Sequence, residues 1–215
     1  MKHIYRIVPI TFLLALQFEC TDNQSPTTQT AQSSPFIPLT NGNHWEYSDS
    51  TIYSSDSVSV NHYSWSIVGK QKILSGTDSV EVSIFRLTFS DGTSYDYFER
   101  NDPEGLTQYI TNEGDSVGQY NLKSLLIKYP LQRGDTWKTN NGDYSSQKAC
   151  LSTDTLIQTT AGTFHSYIIR TGYVDSWYTD EYYTENVGRV GAYGIYKPSG
   201  STVITKTTLL SFTVR

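Results

Sequence analysis

The chain has 215 residues, a net charge of -5 and only 17 % charged residues. With no block of Lys or Arg it offers phosphates nothing to displace their counterions, which argues against nucleic acid as a partner. Two cysteines exclude a multiply stapled scaffold, so stability must come from a buried core, for which a single domain of roughly 180 residues suffices.

Lys2 and Arg6 make a cationic start, residues 7–18 an apolar run, and Cys20 stands where that run stops. Twelve residues cannot span a hydrocarbon core roughly 30 Å thick, which takes about 20 in a helix. Residues 1–19 are therefore predicted to be an export signal. Cys20 is the expected lipid attachment site, and its acyl chains the expected link to a membrane. The residues before it are Gln17, Phe18 and Glu19, where lipoprotein signals carry Leu and then small residues; an unlipidated secreted form and an uncleaved cytoplasmic form are the alternatives. A Cys20–Cys150 disulfide is the rival fate of this cysteine in an oxidising compartment. Residues 20–35 read as the lipidated cysteine and a polar tether, with a mean reach of roughly 20 Å and a limit of about 50 Å.

From Phe36 to the end the composition points to strands. Seventeen Tyr, eight Phe and four Trp stand among abundant Ser and Thr, a mixture that suits a pleated, half-buried surface. No window carries a sustained helical apolar stripe. Val58 and Val60 give way to Tyr63, Trp65 and Ile67 with the opposite parity, and Val80, Val82 and Ile84 give way to Phe85, Leu87 and Phe89. Each switch predicts a bulge or a change in which face is buried, and together they predict a strongly coiled sheet. Turn signals at Asp91-Gly92, Glu113-Gly114-Asp115, Asn141-Gly142, Ala161-Gly162 and Ser199-Gly200 separate the strand-like runs, as in an antiparallel meander.

Pro38-Leu39-Thr40-Asn41-Gly42-Asn43-His44-Trp45 and Pro130-Leu131-Gln132-Arg133-Gly134-Asp135-Thr136-Trp137 share the pattern PLxxGxxW, 92 residues apart. In each copy Gly is expected to take a tight turn and Trp to open the next strand facing inward. The expectation is an all-β domain over 36–215, built from two similar modules of about 36–129 and 130–215. It is either a strongly curved open sheet, half-barrel-like, or a two-sheet sandwich.

On these residues, together with Ala161-Gly162-Thr163-Phe164 and Val187-Gly188-Arg189-Val190, the chain resembles a group of uncharacterised bacterial envelope lipoproteins with PLxxGxxW, AGTF and VGRV or VGLV steps. The resemblance implies an exported, all-β protein of the cell envelope, anchored at the outer membrane. Its motifs carry turns and inward aromatics, so they imply fold and no chemistry.

Candidate chemistry is sparse. His44, His62 and His165 lack the paired spacing of a zinc site, and no GxSxG or SxxK element is present. Asp180 and Glu181 are neighbours on a strand and so point to opposite faces. Neither Asn41-Gly42-Asn43 nor residues 112–115 match a calcium-binding ladder. No metal or cofactor is expected. Trp177, Tyr178, Tyr182 and Tyr183 form the densest aromatic run, and Tyr95 and Tyr97 repeat it in the first half; these six are the candidate ligand contacts. The reading favoured is a non-catalytic binding module for a small apolar molecule, a glycan or an envelope protein. An envelope hydrolase with a site assembled from distant strands around His165 and the carboxylates near Tyr178, or a structural surface protein with a protein partner, are the alternatives.

Overall fold

A computed structural model describes residues 35–55, 57–111, 116, 118–140, 145–173, 177–197 and 201–215. The expected signal, Cys20 and the tether up to residue 34 lie outside these residues, as do the turns expected at 113–115, 141–142 and 199–200. The described residues contain no helix. They form twelve strands: β1 (His44–Tyr53), β2 (Val58–Ser75), β3 (Asp78–Phe89), β4 (Ser94–Asp102), β5 (Gly105–Ile110), β6 (Leu122–Lys128), β7 (Thr136–Asn140), β8 (Ser145–Thr159), β9 (Gly162–Tyr173), β10 (Trp177–Thr184), β11 (Gly188–Tyr196) and β12 (Val203–Thr213).

All neighbours are antiparallel, in one sheet of order β6-β5-β4-β3-β2-β1-β12-β11-β10-β9-β8-β7. The first and last strands pair with each other, so β1 and β12 lie mid-sheet and the two edges, β6 and β7, are consecutive in sequence. The result is a strongly curved, nearly closed barrel with a seam, the curved-sheet alternative rather than the sandwich. Trp137 reaches across the seam and donates from its indole nitrogen to the carbonyl of Leu125 at 3.1 Å. Both edges are short and carry lysines, Lys123 and Lys128 on β6 and Lys138 on β7, which discourages pairing with another chain.

The two PLxxGxxW copies fold alike, hydrogen bond for hydrogen bond. Gly42 and Gly134 both take positive φ, 88° and 90°. The amide of Gly42 donates to the carbonyl of Ile67, and that of Gly134 to Cys150 (2.9 and 2.8 Å); the amides of Ile67 and Cys150 donate back to Asn43 and Asp135, both at 2.9 Å. The ladder shifts register immediately after Ile67 and again after Cys150. Cys150 thus occupies in the second module the place of Ile67 in the first; it is a free, buried thiol whose pKa burial pushes up to about 11.

The main core fills the sheet interior. Phe36, Trp45, Ile67, Ile127, Ile169, Val190 and Leu209 are among its most deeply buried members. Phe36 comes from the segment preceding β1, which packs inside the sheet before β1 begins. Its ring meets Tyr167 edge-on at 4.6 Å and Tyr129 at 5.8 Å. A smaller cluster of Ile73, Val80, Val82 and Tyr109 lies on the opposite face of the sheet, closed by Phe98 and Tyr120. This explains the parity switch in β3: Val80 and Val82 serve the outer cluster and Phe85 the interior. The associated bulge falls in the partner strand at Val68, between Ile67 and Gly69.

Candidate functional site

Inward-facing residues from both modules leave a cavity of about 260 Å³. One wall is aromatic and follows from register. Trp45 pairs with Trp65 across β1 and β2, and Phe85 with Tyr97 across β3 and β4. Trp65 stacks on Phe85 with centroids 4.5 Å apart, lies 5.2 Å from Tyr97, and Trp45 meets Phe85 edge-on at 5.7 Å. Such contacts each add roughly 0.5–1.5 kcal/mol beyond burial, so this wall is stiff.

The opposite wall is charged. Glu181 accepts hydrogen bonds from Lys148 Nζ at 3.2 Å, Arg189 Nη1 at 3.4 Å and the Tyr183 hydroxyl at 3.2 Å. Arg189 also donates to the Tyr63 hydroxyl at 2.8 Å and lies 5.2 Å over the Tyr47 ring. Burial pushes the Glu181 carboxyl upward, but the charges of Lys148 and Arg189 and the hydrogen bonds of Lys148 and Tyr183 hold it below the usual carboxylate range. Burial likewise raises the hydroxyls of Tyr47 and Tyr183, which remain neutral donors.

Glu99 stands apart from this network. It projects inward from β4 opposite Ser83 and Gln108 and is 4 % exposed. Its Oε2 has no hydrogen-bond partner among the described residues, and Glu99 is their only charged group with such an orphaned buried atom. Desolvation pushes its pKa up to about 8, against the opposing charges of Arg189 and Lys148. The ladder between β3 and β4 stops at Ser83 and Glu99. Beyond it a cleft lined by Leu39, Lys70, Glu81 and Arg100 also borders Glu99, so this carboxyl faces both the interior and a gap in the wall.

Of the six aromatic candidates, the structure brings Tyr97 and Tyr183 to the cavity. Tyr95 is 55 % exposed and touches Phe89 edge-on. Tyr178 lies on the opposite face beneath the Arg170 guanidinium, 4.2 Å away, which Asp180 holds bidentately at 2.7 Å. The Trp177 ring covers Gly172, and Tyr182 lies beside Gly191 at the margin of the core. Asp180 and Glu181 do point to opposite faces. His165 binds exposed Asp154 at 2.6 Å and lies seven residues along β9 from Gly172, the partner of Tyr178, roughly 23 Å at strand rise. The structure therefore does not assemble His165 with the carboxylates near Tyr178. His44 contacts Ser66 at 2.7 Å, and no group of three or more His, Cys, Asp or Glu among the described residues is placed to hold a metal.

Glu99, Lys148 and Arg189 escaped sequence reasoning, although a signal was present. Each lies on a strand whose neighbours fix its direction: Glu99 two places after inward Tyr97, Lys148 two before inward Cys150, and Arg189 inside the VGRV step. That step clasps β1, since the carbonyl of Val187 accepts from Trp45 Nε1 at 2.5 Å and that of Arg189 from the Tyr47 hydroxyl at 2.6 Å. A charge at core parity is the mark of an interior site.

No protein-family model and no curated protein matches this chain. Among solved structures, a provisionally assigned exported protein of Bacteroides fragilis with a YmcC-like fold is similar over 84 % of this chain and 99 % of its own. The identity is 14 % and the TM-score 0.46. A provisionally assigned lipoprotein of Parabacteroides distasonis is similar over the same shares, 84 % and 99 %, at 16 % identity and a TM-score of 0.39.

Proposed function

We propose that this chain is an exported, membrane-anchored lipoprotein whose β domain is a non-catalytic binding module for a small amphipathic molecule. The anchor rests on the leader of residues 1–19, Cys20 and the polar tether. The binding role rests on one observation: a cavity of about 260 Å³ joins an aromatic wall to a buried carboxyl, Glu99, whose Oε2 no group among the described residues satisfies. Leaving such an atom unpaired costs about 1–3 kcal/mol, and more if it is charged. A ligand donor is the group that would recover this. The combination of an apolar lining with a few convergent polar groups is the usual make-up of a ligand pocket. An apolar cavity of about 150 Å³ takes a benzene ring, so this one suits a ring system with a short polar arm.

A protein partner has less support, because the edge strands are short, lysine-bearing and bridged by Trp137. The cavity reading is tested by intrinsic fluorescence, since Trp45 and Trp65 line the wall. Titrating the protein with small-molecule extract from its host's envelope is expected to give a saturable change that shrinks in Trp65→Phe, where Trp45 is the remaining reporter in the wall. No change in the wild type counts against the binding module. For the anchor, a labelled fatty acid is expected to join the wild type and not Cys20→Ser; equal label in both contradicts it.

A further inference from the structure

The charges inside the barrel are unequally matched. Lys148 and Arg189 both serve Glu181, and Arg189 has its further partners in Tyr63 and the face of Tyr47. Glu99 has a free Oε2 and looks onto the Trp65, Phe85 and Tyr97 rings. On the reading that this cavity is a ligand site, we infer that its occupant is a small protonated amine, with the ammonium on Glu99 and an apolar body against Trp65, Phe85 and Tyr97.

Three physical arguments favour an amine over a neutral or acidic ligand. A desolvated carboxylate is compensated best by an opposite charge at hydrogen-bond distance. Aromatic faces attract cations, so the wall that holds the body also favours the head group. An anion would meet the Glu181 carboxylate and find Lys148 and Arg189 already engaged with it, whereas an ammonium displaces the Glu99 proton to solvent and pairs with the carboxylate so formed. Facing Glu99 in the interior are Lys148 from β8, Glu181 and Tyr183 from β10, Arg189 from β11, Tyr97 and Tyr129, with Lys70, Glu81 and Arg100 along the cleft. With Glu99 ionised the two interior cations and two interior carboxylates balance, and the ammonium gives Oε2 of Glu99 the adjacent partner that Lys148 and Arg189, held by Glu181, do not. The cavity volume limits the body to one or two rings.

The test is calorimetric titration of the full-length protein with three probes that share one body and differ in head group: tryptamine, 3-ethylindole and indole-3-propionate. Phenethylamine serves as a smaller amine. An amine is expected to bind at least about tenfold more tightly than the neutral or acidic probe. Glu99→Gln is expected to weaken the amine by about tenfold or more while changing 3-ethylindole by less than about twofold. Glu99→Met, which removes the charge with an apolar side chain, is the second variant should Glu99→Gln fold poorly. If the neutral or acidic probe binds as well as the amines, or the amines bind both variants as they bind wild type, the amine assignment is overturned and the cavity stands as a site. If no probe binds at about 1 mM, a concentration that already detects weak complexes, both the assignment and the cavity reading fail.

Discussion

Glu99 makes the interior chemistry measurable without any ligand. Burial raises its carboxyl from 4.5 to about 8, so between those values the folded protein keeps a proton that the unfolded chain has released. Stability therefore falls as pH rises through this window and levels off above it, by on the order of a few kcal/mol. Glu99→Gln carries no such proton. Urea unfolding is expected to find the variant close to wild type at pH 5 and clearly more stable at pH 8; a difference independent of pH would show that Glu99 is not buried as described. The position of Glu99 was legible only in part. Alternation in Tyr97-Phe98-Glu99 sets its direction, but its lack of a partner depends on Lys148 and Arg189 being claimed by Glu181, three strands that no local pattern connects.

At the scale of elements, the best-read feature was the repeated turn. PLxxGxxW named the residues that make it, because a positive-φ glycine and an inward tryptophan are local requirements of a tight turn entering a strand. The two turns prove to share their hydrogen bonds through Ile67 and Cys150. Gly42→Ala and Gly134→Ala should therefore cost alike, roughly 1–2 kcal/mol each for a left-handed alanine. Thermal unfolding of both variants checks this, and a several-fold disparity would mean that the turns are not equivalent. The seam was not legible. By the repeat, β6 and β7 correspond to β12 and β1, which do pair, and nothing in their short sequences announces that side-chain contacts, Trp137 to Leu125 and Lys128 to Asp135, span the gap in place of a ladder. The Trp177–Tyr183 run misled for a related reason: aromatic residues on both faces of β10 look equally available until the sheet closes and makes only one of them interior.

For the whole molecule, the tether side of the domain is continuous with its core. Phe36 is fully buried directly after the predicted tether, its amide donating to the Tyr129 hydroxyl at 3.2 Å, and Ile37 borders the cavity. Phe36→Ala is expected to cost about 3–5 kcal/mol in urea unfolding; a loss below about 1 kcal/mol would place this segment outside the core. The all-β class followed from composition and the curvature from the two parity switches, whereas the cavity depends on how twelve strands close and is a property of no single stretch. The most direct measurement is native mass spectrometry of the full-length protein, released gently from its host's envelope, beside Gln108→Trp, which fills the cavity from β5. The expectation is a small bound mass on the wild type that leaves on denaturation and is absent from the variant. A bare wild-type protein, or the same adduct on both, would contradict it.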